Sequence, residues 1–215
     1  MKLYTYFRSS AAYRVRIALA LKGLAWEPAF VHMLRGGGEQ HSPAYRAINP
    51  QGLVPTFSDE GTDLVQSIAI CEYLEEKHPE PPLLPADLDA RAYVRAVMSA
   101  VACEIHPLNN LRVLKYVTAT LGHGEAEKLA WYRHWIAEGF AGLEGLIVKA
   151  GRSGAFACGD GPTLADAFIV PQVYNARRFD CPMAAYPTIV RIAEACDALP
   201  AFQAARPEAQ GDVDA

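Results

Sequence analysis

The first 80 residues alternate between patterns typical of short strands and patterns typical of helices. Residues 1–7 alternate in the manner of a half-buried strand, and residues 15–21 form a nearly all-apolar run of helix-forming residues. Gly23 then predicts a helix end, and residues 26–31 predict a second strand. Because two strands joined by one helix are usually parallel, this stretch predicts a β-α-β unit.

A turn-rich segment comes next. Residues 49–55 have the sequence Asn-Pro-Gln-Gly-Leu-Val-Pro, and Pro55 stands at the start of a predicted strand, where a missing N–H is tolerated. A proline there can be cis, which would leave the backbone of Val54 open to a ligand.

The remainder of this half predicts a hairpin followed by a helix. Residues 56–65 contain the turn Asp-Glu-Gly between two short strand patterns. Residues 68–77 predict a helix that has Ser67 at or near its N-cap. The order β-α-β and then β-β-α predicts a thioredoxin-like domain over residues 1–80.

The composition changes at a proline-dense stretch, which predicts a semi-rigid linker at residues 81–86. Residues 87–212 then predict an all-helical domain, so the fold class is α/β plus all-α. Apolar residues of this half recur at helical spacings of three and four, at Val94, Val97, Met98, Val101, Ile105, Ile136, Phe140, Leu143 and Ile147. Thr163 and Asp166 predict a capping box, and the polar tail from Pro207 is expected to fray.

Composition and charge narrow the function classes. The chain has 215 residues, no apolar run of signal-peptide or membrane-span length, and a formal charge of −4. We therefore expect a cytoplasmic protein without nucleic-acid or membrane partners, in which an anionic small ligand would need a local arginine cluster. The five cysteines lack metal-ligand spacing and are expected to be reduced core thiols, so no metal site is predicted.

The start of the first helix is the strongest candidate for chemistry. Ser9 and Ser10 precede the apolar helical run, where the first backbone N–H groups lack partners and the helix dipole is positive. That environment favours an anion, including a thiolate, yet residues 8–21 contain no cysteine. A thiolate would therefore arrive on a ligand. Simple helix capping is the alternative interpretation of both serines.

Several motifs, in matching order, resemble the cytosolic glutathione transferases over essentially the whole chain, and the first resembles the zeta class. They are Arg-Ser-Ser-Ala-Ala-Tyr-Arg-Val-Arg-Ile-Ala-Leu at 8–19, Asn-Pro-Gln-Gly-Leu-Val-Pro at 49–55, Gln-Ser at 66–67, Ile-His-Pro-Leu-Asn-Asn at 105–110, Val-Pro-Gln-Val at 170–173 and Asn-Ala-Arg-Arg-Phe at 175–179. The family usually shows Ser-Ser-Cys in the first motif, whereas Ala11 stands in the third place here. The serines remain, but any role of that cysteine is absent.

The resemblance implies a role for each matching position. The catalytic groups would be Ser9, Ser10 and Arg8, with one serine at the glutathione sulfur. Glutathione would be bound by Ser9, Ser10, Gln40, Val54, Gln66, Ser67, His106, Asn109, Asn110 and Arg112. Substrate carboxylates would be bound by Arg8, Arg112, Arg177 and Arg178. Helix capping is the alternative for Gln66 and Ser67, and helix-dipole stabilisation is the alternative for the arginine pair.

The resemblance also implies an activity, namely glutathione-dependent cis–trans isomerisation of a maleyl diacid. Maleylacetoacetate, converted to fumarylacetoacetate in tyrosine and phenylalanine catabolism, is the expected substrate, and the expected assembly is a homodimer. The alternatives are isomerisation of maleylpyruvate in gentisate catabolism, general conjugation of electrophiles to glutathione, and a non-catalytic binding module.

Overall fold

A computed structural model describes residues 1–213, and the chain divides into two units. The first consists of Met1–Leu83 together with the chain from Asp197 onward, and the second is Leu84–Cys196. The division at Leu83 falls inside the predicted linker.

The first unit is built on a four-stranded sheet with the order β2-β1-β3-β4. β1 is parallel to β2 and antiparallel to β3, which forms a hairpin with β4. The strands are Lys2–Thr5 (β1), Glu27–Phe30 (β2), Thr56–Asp59 (β3) and Thr62–Val65 (β4), and the helices before the linker are Ser10–Leu21 (α1), Pro43–Ile48 (α2) and Ser67–Lys77 (α3). This arrangement confirms the predicted thioredoxin-like fold.

The core of the first unit lies between the sheet and α1. Leu3 and Phe57 are partners across β1 and β3 and are fully buried, as are Val15, Ile17 and Leu19 of α1. α1 also packs against α3. Burial of the apolar run therefore fixes where α1 begins relative to the end of β1.

The C-terminal segment belongs to the first unit, which differs from the prediction that the helical domain extends to residue 212. Its helix α9, Pro200–Ala205, packs against α1 and buries Phe202 and Ala205. The tail was expected to fray, but a 3-10 turn follows at Pro207–Ala209 and Asp212 is only 2% exposed. The buried Asp212, which accepts the N–H of Phe7, holds this stretch in place despite its polar composition.

The second unit is helical, as predicted. The only β-type pairing among its described residues is an isolated bridge between Ser153 and Gly159. All the apolar positions predicted from periodicity are buried. A π-helical turn at Ala100–Ile105 and a 3-10 turn at His106–Asn109 follow its first helix. Its helices are Leu88–Ser99 (α4), Leu111–Lys115 (α5), Glu125–Ala150 (α6), Leu164–Arg178 (α7) and Pro187–Asp197 (α8).

The five cysteines are free thiols. Cys71, Cys181 and Cys196 are buried as expected, and burial raises the pKa of Cys71 to about 12. Cys158 is half-buried and Cys103 is exposed, so the expectation of core thiols was wrong for Cys103.

Candidate active site

Ser9 and Ser10 lie at the start of α1, as the sequence predicted. Ser9 is the N-cap, and its Oγ accepts the N–H of Ala12 at 3.2 Å, which leaves the hydroxyl hydrogen available to donate to a ligand. Ser10 is the first helical residue and is buried. The first turn contains no acidic residue that would neutralise the positive end of the dipole. This helix start can therefore bind an anion, and the half-buried Ser9 is the more accessible hydroxyl.

Arg8 lies on the loop between β1 and α1. Its Nη2 donates to the hydroxyl of Tyr6 at 3.1 Å, and its Cζ lies 4.7 Å from the centre of the Phe7 ring. Aromatic faces attract cations, so these contacts hold the guanidinium without neutralising it. Arg8 is exposed, and no carboxylate in the described part of the chain pairs with it. It can bind a ligand carboxylate next to Ser9.

Val54 lies two residues before β3, in a turn that other side chains hold in place. The peptide bond from Val54 to Pro55 is cis, as the sequence allowed. The carbonyl of the preceding residue, Leu53, accepts hydrogen bonds from the Tyr45 hydroxyl at 2.7 Å and from Asn49 Nδ2 at 2.8 Å. Burial raises the pKa of Tyr45, which keeps this phenol a neutral donor. The Val54 backbone lies outside the sheet ladder and can pair with an extended ligand.

Gln40 is buried, with 3% of its surface exposed. Its Nε2 donates to the carbonyl of Met33 at 3.4 Å and lies 3.2 Å from Nε2 of His41. Its Oε1 has no hydrogen-bond partner among the described residues. Gly38 has a φ of +115°, and a side chain there would collide with the Gln40 amide. A buried acceptor without a partner is costly, so Gln40 suits a ligand that donates an N–H.

Gln66 and Ser67 mark the start of α3. Gln66 is the N-cap, and its φ of +71° is unusual for a residue with a side chain. Such backbone conformations cost free energy and are often found at binding sites. The Gln66 amide donates to Oε1 of Gln51 at 2.8 Å, which ties α3 to the turn that contains Val54.

Ser67 is the first residue of α3 and is buried. Its Oγ accepts a hydrogen bond of 3.2 Å from Nη1 of Arg14, a residue of α1 that is 1% exposed. The positive charge of Arg14 therefore adds to the dipole at the α3 N-terminus. Arg14 therefore ties α1 to the start of α3, and the N-termini of both helices favour an anion.

The predicted residues of the second unit lie in two segments. His106 and Asn109 are in the 3-10 turn, and Asn110 is the N-cap of α5, where its Oδ1 accepts the N–H of Arg112 at 3.1 Å. Asn109 is 5% exposed, and neither of its amide atoms has a hydrogen-bond partner among the described residues. Asn109 therefore suits a polar ligand, whereas the side-chain oxygen of Asn110 already serves as a helix cap.

Arg177 and Arg178 are exposed in the last turn of α7. Cζ of Arg178 lies 4.7 Å from the centre of the Phe179 ring, in the same kind of contact that Arg8 makes with Phe7. Both arginines stabilise the C-terminal end of the α7 dipole whether or not they bind a ligand.

Sequence reasoning missed three charged residues that support these elements. Arg14 and Arg16 are almost completely buried, and the signal for them was the presence of two arginines inside an apolar helical run. Asp212 is also buried and accepts the N–H of Phe7 at 2.9 Å. No local pattern indicated this contact, because the two residues are 205 positions apart.

Comparisons with known proteins place the chain in a family. The family model "Glutathione S-transferase, N-terminal domain" matches residues 3–82. A probable maleylacetoacetate isomerase of Vibrio cholerae is 50% identical over 98% of this chain and 97% of its own length. The chain belongs to the zeta class of the glutathione S-transferases.

Two solved structures have the same fold. The holo structure of a maleylpyruvate isomerase, described as a bacterial zeta-class glutathione S-transferase, is 47% identical, covers 99% of both chains and superposes with a TM-score of 0.95. The maleylacetoacetate isomerase of Anaeromyxobacter dehalogenans, solved with glutathione in its active site, is 46% identical with a TM-score of 0.87 and covers 99% of this chain and 97% of its own.

Proposed function

We propose that the protein isomerises maleylacetoacetate to fumarylacetoacetate with glutathione as cofactor, in the catabolism of tyrosine and phenylalanine. The observation that carries this proposal is the start of α1, where a serine N-cap and an exposed arginine stand side by side without a cysteine. The Vibrio cholerae and Anaeromyxobacter dehalogenans relatives bear the corresponding name.

The residues of the first unit fit glutathione. Oε1 of Gln40 is a buried acceptor without a partner among the described residues, and the Val54 backbone can pair with the cysteinyl backbone as an added strand does. The start of α3, with Gln66, Ser67 and the buried Arg14, suits the γ-glutamyl carboxylate. We extend the binding role to His106, Asn109, Asn110 and Arg112 of the second unit, with support from the amide of Asn109, which has no hydrogen-bond partner among the described residues.

When bound, glutathione supplies a thiolate that converts the cis double bond reversibly into a rotatable single bond and is regenerated. A free thiol with a pKa of about 8.5 is only a few per cent ionised at pH 7. The α1 N-terminus and a hydrogen bond from Ser9 can bring that pKa near 7, which raises the thiolate fraction at pH 7 from a few per cent to about half. We assign this role to Ser9 rather than Ser10, because Ser10 is buried.

Arginines supply the rest of the site. A dianionic substrate approaching a chain of charge −4 needs local positive charge, and Arg8 provides it beside Ser9. We assign the same role to Arg112, Arg177 and Arg178, all of which are exposed. A planar guanidinium can bind a carboxylate through two parallel hydrogen bonds and can stabilise charge that develops on an enolate oxygen.

Maleylpyruvate is the second candidate substrate. A relative named for that substrate superposes with a TM-score of 0.95 at 47% identity, close to the identities of the maleylacetoacetate isomerases. The two substrates share a maleyl end, so the same arginines could bind either. A comparison of kcat/KM for the two diacids would decide between them.

We also propose that the protein is cytoplasmic and forms a homodimer. Support for the cytoplasm comes from the five free thiols, since disulfides are typical of oxidising compartments. Among the described residues, no helix has both the length and the apolar character needed to cross a bilayer. The homodimer rests on the family resemblance.

The test of the proposed function is the fate of glutathione during turnover. We expect no isomerisation after exhaustive dialysis, full activity on addition of glutathione, and a constant total thiol concentration throughout. Loss of thiol in step with substrate would indicate a conjugating transferase, and an absence of turnover would indicate a binding module. Isomerisation without any glutathione would contradict the proposal.

A further inference from the structure

The C-terminal segment of the chain contacts the loop that carries Arg8 and Ser9. Oδ2 of Asp212 accepts the N–H of Phe7 at 2.9 Å. The segment follows α9, which packs against α1, and Gly211 lies beside the ring of Phe30 at the end of β2. These contacts keep Asp212 next to the point where β1 ends.

The carbonyl of Phe7 is also held from this side of the unit. Nη2 of Arg16 donates to it at 3.0 Å, and Nε of Arg16 donates to the carbonyl of Ala205 in α9 at 3.0 Å. Arg16 also bonds Oγ1 of Thr5 at 3.1 Å. The N–H of Phe7 is therefore held by Asp212 of the C-terminal segment, and its carbonyl is held by Arg16, which itself contacts that segment.

The position of Phe7 determines the geometry of the candidate active site. Its ring lies 4.7 Å from Cζ of Arg8, and Ser9 is two residues further along the same loop. The N–H of Ser9 bonds the carbonyl of Tyr6 at 2.9 Å, so the loop is a tight turn that would transmit a shift of Phe7 to the α1 N-cap. A displacement of about 1 Å at reacting groups can lower the rate a hundredfold.

The burial of Asp212 also suggests a role beyond simple packing. The residue is 2% exposed, and its Oδ1 has no hydrogen-bond partner among the described residues. Burying a carboxyl group with one oxygen unpaired is unfavourable for folding. An apolar residue would fill the same space at lower cost but could not accept the N–H of Phe7.

We propose that Asp212 is a positioning residue for the isomerisation, which holds Phe7 so that Arg8 and Ser9 meet their ligands in a productive arrangement. This inference rests on the proposed function for its kinetic readout. It assigns a role in the reaction to a residue more than 200 positions away from Ser9 in the sequence.

The experiment compares Asp212→Ala, Asp212→Asn and Gln210→Ala with the parent protein. Gln210→Ala is the matched control, because it removes the bonds from Gln210 Nε2 to the carbonyls of Ala204 and Arg206 without touching Phe7. Asp212→Asn keeps an oxygen that can accept the Phe7 N–H. For each protein, kcat, the KM values, the Kd of glutathione and the melting temperature are measured, and the bound thiol is titrated by its ultraviolet absorbance.

We expect Asp212→Ala to lower kcat about 10- to 100-fold and to raise the pKa of the bound thiol, since the Ser9 hydroxyl would be misplaced. The Kd of glutathione should change little, because Gln40, Val54 and the α3 start are untouched. Asp212→Asn should recover most of kcat, and Gln210→Ala should keep the parent kcat even if its melting temperature falls.

The inference would be overturned by an Asp212→Ala protein with parent kcat and thiol pKa, or by equal loss of activity in all three variants. An Asp212→Asn protein that folds but is as impaired as Asp212→Ala would also contradict it. If the parent protein binds glutathione without isomerising a maleyl diacid, only the proposed function fails, because the thiol titration still reports the effect of Asp212 on Ser9. A parent protein that does not bind glutathione would overturn both.

Discussion

Arg8, on the loop before α1, and Arg178, in the last turn of α7, each carry a guanidinium held over an aromatic ring. Replacement of either arginine by Met removes the charge but keeps an apolar stem over the ring. Loss of a charge-assisted contact is worth roughly 1.5 to 3 kcal/mol, so we expect kcat/KM for the diacid to fall about 10- to 150-fold. Steady-state kinetics would measure this loss, and calorimetry should show that glutathione still binds.

Two further variants control this prediction. Lysine at either position should recover only part of the activity, because its ammonium group is a point charge and lacks the two parallel N–H donors of a planar guanidinium. Lys149→Met makes the same change in net charge at the last turn of α6 and should leave kcat/KM unaltered. If both Met variants isomerise the diacid as fast as the parent protein, these arginines are only helix-end or loop charges and the substrate assignment fails.

What could be predicted for single residues depended on how local their contacts are. The position of Ser9 ahead of α1 followed from a serine before an apolar run, because an N-cap bond spans only three residues. The burial of Arg14 and of the Gln40 oxygen, which has no partner among the described residues, depends on residues distant in the sequence and could not be predicted. The family resemblance implied a role for Gln40 but not the reason that it suits a ligand.

The N-terminus of α7 is held by the side chain of Asp166. Oδ1 of Asp166 accepts the N–H of Ala157 at 2.8 Å, and Oδ2 accepts both the N–H and the hydroxyl of Thr163, at 2.8 and 2.9 Å. Burial raises the pKa of Asp166, and these hydrogen bonds oppose that rise. The sequence predicted the capping box because its pattern spans four residues, but the bond to Ala157 was not visible there.

We expect Asp166→Ala to destabilise the fold, because the N–H groups of Ala157 and Thr163 would be left without partners. The free energy of unfolding should fall by about 3 kcal/mol, and Tm by about 6 to 12 °C for a chain of this size, measured by calorimetry. Asp166→Asn should have an intermediate effect, because an NH₂ group replaces one of the two carboxylate oxygens and cannot accept a hydrogen bond. Asp89→Ala, an exposed acid in the first turn of α4, should cost at most about 1 kcal/mol. An Asp166→Ala protein as stable as Asp89→Ala would show that the box is dispensable.

At the scale of the whole molecule, the change of composition at the proline-dense stretch coincides with the division at Leu83, whereas nothing in the sequence indicated that residues 197–213 return to the first unit. The prolines change the local composition, and the division at Leu83 falls among them. The return of the last residues to the first unit depends on contacts such as that between Arg16 and Ala205, which are 189 positions apart. Contacts at that separation leave no periodic signal in either segment.

The proposed homodimer gives the last prediction. A closed dimer of identical chains has two-fold symmetry, so the same surface patch is used on both subunits and a single species of defined mass results. Sedimentation velocity at micromolar concentration should therefore show one species of about twice 23.4 kDa. A stable interface of standard size buries roughly 800 Å² on each partner, so the species should persist through a tenfold dilution. Gln210→Ala, whose change is confined to the C-terminal segment, should sediment like the parent protein. A single boundary at 23.4 kDa across the dilution series would show that the chain is a monomer and would contradict the proposal.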